Sequence, residues 1–333
     1  MKQGKTGKSN SKKKAALIVV CIVCALILAV LIFAAVYMEN LFGKLNRPDP
    51  VAPEASPTAG TEPAVFEPIR IPAVLPSESA EIIEKEDAIN ILLVGADAGA
   101  NLSDTMMMVT VDKTTKEITL TSFLRDSYVD IPGYFPHKLN TAYALGGFEL
   151  LDETLAYNFG IQFDGNVCVN FESFVEVIDA VGGVDVELTY DEASYLNGYF
   201  GWDLIEGMNH LEGEQALQFS RIRALDSDIN RANRQRIVIT ALLNKAKSLS
   251  VAEMNTLINT VLPMITTDLT NAQITSYALE LLPMLKDLSL TTQQIPAQGT
   301  YNFGWTEVDG GMSILEIFDF ETNAEILKDI LTN

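Results

Sequence analysis

Residues 15–38 read AALIVVCIVCALILAVLIFAAVYM, a run without a single charge. No other feature narrows the fold as much. At about 1.5 Å per residue, a helix of this length crosses the roughly 30 Å of a bilayer core. Residues 1–14 carry Lys2, Lys5, Lys8, Lys12, Lys13 and Lys14 and no acid. Basic flanks stay in the cytoplasm, so the rest of the chain is expected on the outer side. A signal peptide has a shorter apolar region, about 7–15 residues, and ends in small residues. This stretch runs into VYMENLF instead, which points to an uncleaved anchor.

Every one of the 44 acidic residues lies after residue 38, against 17 basic residues there, for a net charge of −27. Such a surface argues against nucleic-acid binding by bulk charge. Any anion site has to be built locally, against that field. Cys21 and Cys24 fall within the apolar run, which leaves Cys168 alone outside it and without an intrachain disulfide. A bacterial, exported domain stabilised by its core is expected.

Residues 39–86 hold eight of the thirteen prolines among Ala, Glu, Ser and Thr, and read as an extended spacer. The expected layout is therefore a cytoplasmic tail over 1–14, an anchor over 15–38, a linker over 39–86 and one globular domain over 87–333. Within that domain INILLVGAD (89–97), MMMVTVD (106–112) and EITLTSFL (117–124) read as strands. Helical stretches are expected near 141–158, 171–181 and 230–249, two more within 251–288, and a last one over 320–331. VGGVDVEL (181–188) reads as a turn into a strand, and ALQFSRIR (216–223) as a helix running into one. TTQQIPA and MSILEIF are late strands. The alternation predicts an α/β fold with a central mixed β-sheet sandwiched between helices, a three-layer α/β/α arrangement.

Three constellations can carry chemistry. In GADAGANLSDT, Asp97 follows a buried strand and Asp104 precedes the next. Two carboxylates at strand ends suit a hard cation such as Mg²⁺, which takes few carboxylates and keeps phosphate oxygens and water; capping of turns is the plainer role. In SFLRDSYVDIPG, Arg125 stands at a strand end, where its planar fork can hold a phosphate or simply pair with Asp126. Lys138 and Asn140 nearby offer further donors.

The third is RIRALDSDINRANRQR over 221–236. The chain has eight arginines, and six are Arg125, Arg221, Arg223, Arg231, Arg234 and Arg236. If the chain is extended there, Arg221 and Arg223 share a face and Ile222 takes the other. Asp228 suits the start of the following helix. On that helix Arg231, Arg234, Gln235 and Val238 follow one stripe, though adjacent Arg234 and Gln235 cannot both centre it, and Arg236 is expected in solvent. A charge run is usually a solvated face. Here the arginines concentrate against the global charge, beside a helix N-terminus, which favours an anion site. The two histidines, His137 and His210, stand in no triad-like context, and no nucleophile elbow or Walker loop is present. Phosphate chemistry by positioning and charge fits better than histidine acid–base catalysis.

Taken in order, NILLVGAD…SDTMMMVTVD, SFLRDSYVDIPG…HKLNTAYALGG, VNFESFVEVIDAVGGVDVEL and LEGEQALQFSRIRALDSDINRANRQRIVITALLNK resemble the four sequence blocks of the LytR-CpsA-Psr family of cell-wall enzymes. The resemblance covers about residues 87–249. It implies a phosphotransferase that moves a glycopolymer, such as teichoic acid or capsule, from a polyprenyl-pyrophosphate carrier to peptidoglycan through a phosphodiester. By motif, Asp97 and Asp104 would be the carboxylates associated with Mg²⁺. Arg125, Arg221, Arg223 and Arg231 would clamp the pyrophosphate, with Lys138 a weaker candidate. Asp228 and Gln235 would sit near the head group, Asp228 in a hydrogen-bonding or base role. The chain departs from the pattern at Leu102, where many members carry Arg before S-D-T. The polyprenyl tail would need an apolar groove, for which 171–181 and 237–243 are candidate walls. The alternatives are a non-catalytic binder or secretion factor for the lipid-linked polymer, and a pyrophosphatase acting on the head group. Transcriptional regulation is disfavoured, since fourteen residues face the cytoplasm and the outer part is too acidic for DNA.

Overall fold

A computed structural model of the chain describes residues 37–48, 79–84, 87–96, 103–308 and 311–332. The chain divides into two units, residues 1–45 and 46–333. A short helix over 37–42 belongs to the first. The expected membrane span falls outside the described residues except at its last two positions. Among the described residues, no helix is long and apolar enough to cross a membrane.

The second unit opens with β1 (Ala88–Ala96), β2 (Ser103–Asp112) and β3 (Glu117–Phe123), followed by the short β4 (Ser127–Val129) and β5 (His137–Lys138). Helix α1 (Leu139–Phe159), β6 (Gly165–Val169), α2 (Phe171–Ala180) and β7 (Val184–Leu188) come next. Then follow α3 (Tyr190–Phe200), β8 (Gly207–Leu211), α4 (Gly213–Ser220), α5 (Asp228–Ser248) and α6 (Val251–Val261). The chain closes with β9 (Ile265–Thr267), α7 (Asn271–Leu281), β10 (Ser289–Ile295), β11 (Tyr301–Thr306), β12 (Met312–Ile317) and α8 (Phe320–Thr332).

The main sheet runs in the order β10-β3-β2-β1-β6-β9. It is mixed: β1 is parallel to β6 and β3 to β10, whereas β2 is antiparallel to both its neighbours. Met106, Met107 and Met108 of β2 are all buried, which explains an apolar run without alternation: both faces of the central strands are covered. On one face Leu92, Val94, Met106 and Met108 pack against Leu151 and Leu155 of α1 and Leu327 and Leu331 of α8. On the other, Met107, Ile118 and Leu120 meet Ile239 and Leu243 of α5 and Leu281 of α7. This is the expected three-layer arrangement. A separate core joins α2, β7, α3, β8 and α4 to Val238 of α5.

Two expectations are corrected. Residues 221–223 do not form a strand: α4 ends at Ser220, Arg221 caps it with helical-region angles, and an irregular segment follows. Arg221 and Arg223 are nonetheless exposed and Ile222 buried, so the alternation survives without a ladder. Arg236 is not solvated either. It is 7% exposed, on the face of α5 that carries Ala232, Ile239 and Leu243 toward the sheet. α5 is covered on two sides, and a charge pattern alone reports only one.

Parts of the expected spacer dock on the domain. The backbone N–H groups of Ala80 and Ile83 bond Tyr157 O and Gly160 O at 2.8 and 2.7 Å, and Asn46 bridges to Thr266 of β9.

Candidate active site

The carboxyl ends of β1, β3 and β6 lie at one edge of the sheet, together with the amino end of antiparallel β2. That edge is where α/β folds hold ligands. Leu93 and Gly95 of β1, Val167 and Val169 of β6, and Phe171, Phe174 and Val177 of α2 line a cavity there. Leu217 of α4 and Ile239 and Leu242 of α5 complete its apolar wall, around a volume of about 670 Å³. Gly95 is closely approached: a Cβ would stand 3.0 Å from that of Thr105, which would have to shift to admit it, at the point where the β1–β2 register shifts.

At one side the lining turns polar, with Asp104, Arg125, Arg221, Arg223, Arg231 and Gln235. Three separate stretches meet here. Asp104 sits near the start of β2. Arg125 occupies the turn after β3, which is tied down where the Asn140 N–H donates to Arg125 O at 3.2 Å. The remaining residues come from the segment just after α4 and the first turns of α5. The Asp104 Oδ1 lies 2.5 Å from Arg125 Nη1, 3.4 Å from Arg223 Nη2 and 3.9 Å from Arg231 Nη1. The Arg221 guanidinium lies 4.6 Å above the ring of Phe171, which holds the charge at the cavity edge by a cation–π contact.

Helix α5 sorts its polar residues by angle. Arg231 and Gln235 face the cavity together with Ile239 and Leu242, following the i, i+4, i+8 course of one stripe. Arg234 turns to the other side. Its Nε donates to Glu192 Oε1 at 2.7 Å, Nη2 and Nη1 hold the two oxygens of Asp226 at 2.5 and 3.1 Å, and Nη1 also reaches Ile222 O at 3.1 Å. Burial alone would lower this guanidinium's pKa, but the bonds to Asp226 and Glu192 outweigh it and hold the group above its ordinary value. Arg234 therefore fastens the irregular segment that carries Arg223. The α5 N-cap is Ser227, which accepts from Asn230 N.

Of the other residues expected at the site, Asp228 is the first residue of α5, and its side chain lies outside the described set. Asp97 and Leu102 also fall outside the described residues. Lys138 does not line the cavity; its Nζ pairs with Asp126 Oδ1 at 2.8 Å. Asp126 lines a small neighbouring cavity of about 20 Å³, shared with Asp104, Arg125, Arg231, Gln235 and Leu315. Sequence reasoning took Asp126 only as a pairing partner of Arg125. It did not find Asn170, which caps α2 at the cavity and whose signal is the polar residue ahead of the amphipathic FESFVEVIDA.

Among the described residues no cluster of three His, Cys, Asp or Glu could hold a metal. Asp104 is the described member of the predicted carboxylate pair. A carboxylate beside a phosphate site belongs to the donor set that a Mg²⁺ ion with bound water and phosphate oxygens accepts, and Asp104 is the described residue that would offer it. Chemically, the site suits an amphiphile: a polyanionic head among arginines and an apolar body in the cavity.

Comparison with known proteins agrees with this geometry. The chain is 37% identical over 184 residues to the polyisoprenyl-teichoic acid–peptidoglycan teichoic acid transferase TagU of Oceanobacillus iheyensis, covering 52% of this chain and 56% of that protein. The match thus spans little more than half of that relative's length. Regulatory protein MsrR of Staphylococcus aureus is 31% identical, over 75% of this chain and 76% of its own. Among solved structures, YwtF (TagT) with bound octaprenyl pyrophosphate lipid superposes with a TM-score of 0.58 at 26% identity, covering 77% of this chain and 97% of that one. The sequence model of the LytR_cpsA_psr family matches residues 69–318, and the chain belongs to that family.

Proposed function

We propose that this chain is a membrane-anchored, Mg²⁺-dependent transferase that moves a glycopolymer from a polyprenyl-pyrophosphate carrier to peptidoglycan. One observation carries the reading: Arg125, Arg221, Arg223 and Arg231 converge at the polar side of an apolar cavity of about 670 Å³. The relative named as a teichoic acid transferase and the solved structure with a bound prenyl pyrophosphate support it at the level of the family.

In this mechanism the prenyl tail lies against Phe174, Val177, Leu217, Ile239 and Leu242. The four arginines hold the pyrophosphate, with Gln235 as a neutral donor. An acceptor hydroxyl attacks the phosphorus that bears the polymer. A new phosphorus–oxygen bond forms, the bond to the bridging oxygen breaks, and polyprenyl phosphate leaves with the electron pair. The hydroxyl proton passes to a carboxylate, for which Asp228 is the candidate from its place at the start of α5. Arg125 and Arg231 neutralise charge that grows on the bridging oxygen, an effect that a site closed to water strengthens. Mg²⁺ held through Asp97 and Asp104 would supply further charge neutralisation on the phosphate oxygens. The anchor over 15–38 would keep the domain on the outer face of the cell membrane, beside its lipid donor.

The test combines the protein, a synthetic polyprenyl-pyrophosphoryl oligosaccharide, Mg²⁺ and peptidoglycan fragments, with products read by mass. A phosphodiester adduct that disappears with EDTA and with Arg125→Ala is expected. Free sugar phosphate without adduct would indicate hydrolysis, and retained lipid without turnover would indicate a carrier. Calorimetric titration of Mg²⁺ in the presence of the lipid, with Asp104→Asn as the control, reads the metal separately from activity.

A further inference from the structure

Strand β11 reads YNFGWT, and the two-residue period puts Tyr301, Phe303 and Trp305 on one face. Phe303 is 74% exposed and Trp305 66%. A lone exposed aromatic needs no explanation, but neighbours on one face of an edge strand do. The rings of Tyr301 and Phe303 are 6.1 Å apart, edge to face. Trp305 lies over Gly311, where a Cβ would come within 2.7 Å of the indole and where φ is +105°.

The register ties this face to the arginine site. Phe303 stands opposite Leu315, Tyr301 opposite Ile317 and Trp305 opposite Ser313. Directly opposed residues project from the same side of a sheet. Leu315 packs with Leu124 and Ala232, its N–H donates to Asp126 O at 2.8 Å, and it lines the small cavity with Arg125 and Arg231. Leu315 pairs with Ser127, so Ser313 and Trp305 extend past the start of β4, on the side where the chain carries Arg125 and Asp126. Asp104, Arg125, Arg231 and Gln235 line both the large apolar cavity and the small one. The aromatic face of β11 therefore borders, through Leu315, the small cavity whose wall includes Arg125 and Arg231.

Charge selects the occupant. No Lys or Arg occurs between Lys286 and Lys328, and Glu307 directly follows β11; Glu316, opposite Asn302, projects from the other face. This stretch offers an anionic polymer or lipid surface no cation of its own. An uncharged sugar chain can lay its apolar faces on the rings and donate a hydroxyl to Glu307. We propose that Phe303 and Trp305 form a platform for the acceptor glycan, an uncharged chain of N-acetylated hexosamines. This rests on the transferase reading above.

The probe is the β-1,4-linked hexamer of N-acetylglucosamine. The chain has two tryptophans, so Trp202→Phe leaves Trp305 as the sole indole reporter. A saturable change in its emission with the hexamer is expected. In Phe303→Ser/Trp305→Ser the acceptor concentration for half-maximal transfer should rise about tenfold, the loss of roughly one aromatic contact at each ring. Affinity for the lipid donor should stay unchanged, and Phe303→Tyr/Trp305→Tyr should restore the acceptor value. Both side chains are mostly exposed, and circular dichroism of the serine variant confirms folding. An unresponsive indole, with transfer by the serine variant intact, overturns the platform and leaves the transferase reading standing. A wild-type dimer that the serine substitutions split would assign the face to a second copy and overturn it as well. Absence of adduct from the unaltered protein with donor bound removes the transferase reading, and with it the acceptor role.

Discussion

Arg234 and Arg236 lie two residues apart on α5, both under a tenth exposed, and the same substitution should move stability in opposite directions. Arg234→Met leaves Glu192 and Asp226 without their partner. The Glu192 side chain is 11% exposed and carries most of the penalty; that of Asp226 is 25% exposed and carries less. Breaking a buried pair of this kind costs ~3–5 kcal/mol. Arg236 has no carboxylate partner among the described residues. Its Nη2 donates to Asn233 Oδ1 at 3.3 Å, its Nε and Nη1 have no acceptor there, and burial pushes its pKa down. Methionine fills a similar space without stranded donors, so Arg236→Met should gain ~1–2 kcal/mol. For a domain of this size each kcal/mol moves Tm by about 2–4 °C, giving a drop of roughly 6–20 °C for the first variant and a rise of a few degrees for the second. Thermal unfolding followed by far-UV circular dichroism reads both. Equal losses in the two variants would refute the reasoning, because pairing would then not distinguish the two guanidinium groups.

Asp152 is pushed up to about 7 by burial, with a bond from Asn166 opposing and the charge of Asp268 adding to the rise. The folded state then holds a proton that the unfolded chain has released, so stability should fall as pH rises from about 4 to 7 and level off above. Asp152→Asn should flatten that slope in urea titrations at several pH values. Arg221→Ala should abolish donor binding, read by lipid titration, with Tm nearly unchanged, since Arg221 is exposed and its described partner is the ring of Phe171. Leu242→Trp narrows the apolar cavity. It should weaken binding of long prenyl pyrophosphates at least about tenfold and spare short-chain analogues, measured by competition.

The central strands and α5 were legible because their signals are local: continuous apolar runs for β1 to β3, and a capped, periodic stretch for the helix. The site was legible as residue types, since arginines concentrated against an acidic background need a common reason. The misreadings have physical causes. Arg-Ile-Arg alternates in exposure as a strand would, but at 221–223 there is no neighbour to pair with, and Arg234 fixes the backbone instead. Arg236 reads as solvent-facing because guanidinium groups usually are, while the covering of a second helix face depends on where the sheet lies. Helix α3 and strand β8 went unannounced, since DEASYLNGYF and GMNHL mix aromatic and polar residues without a clean period. The meeting of Asp104 with Arg223 across 119 positions of sequence is set by the tertiary fold, which no local signal announces.

The placement of Asp104 among Arg125, Arg223 and Arg231 gives the site a resident competitor. A phosphate ligand does not enter a bare cationic field; it has to displace a carboxylate already held there. A monoester gathers its charge, about −1.5 to −2 near pH 7, on one phosphorus, whereas a diphosphate spreads its charge and acceptor oxygens over two phosphoryl groups and can engage several of these arginines at once. The threshold favours ligands long enough to span the cluster. In the proposed transfer, the leaving prenyl phosphate would span fewer of these arginines than the donor did, and Asp104 would compete for them again.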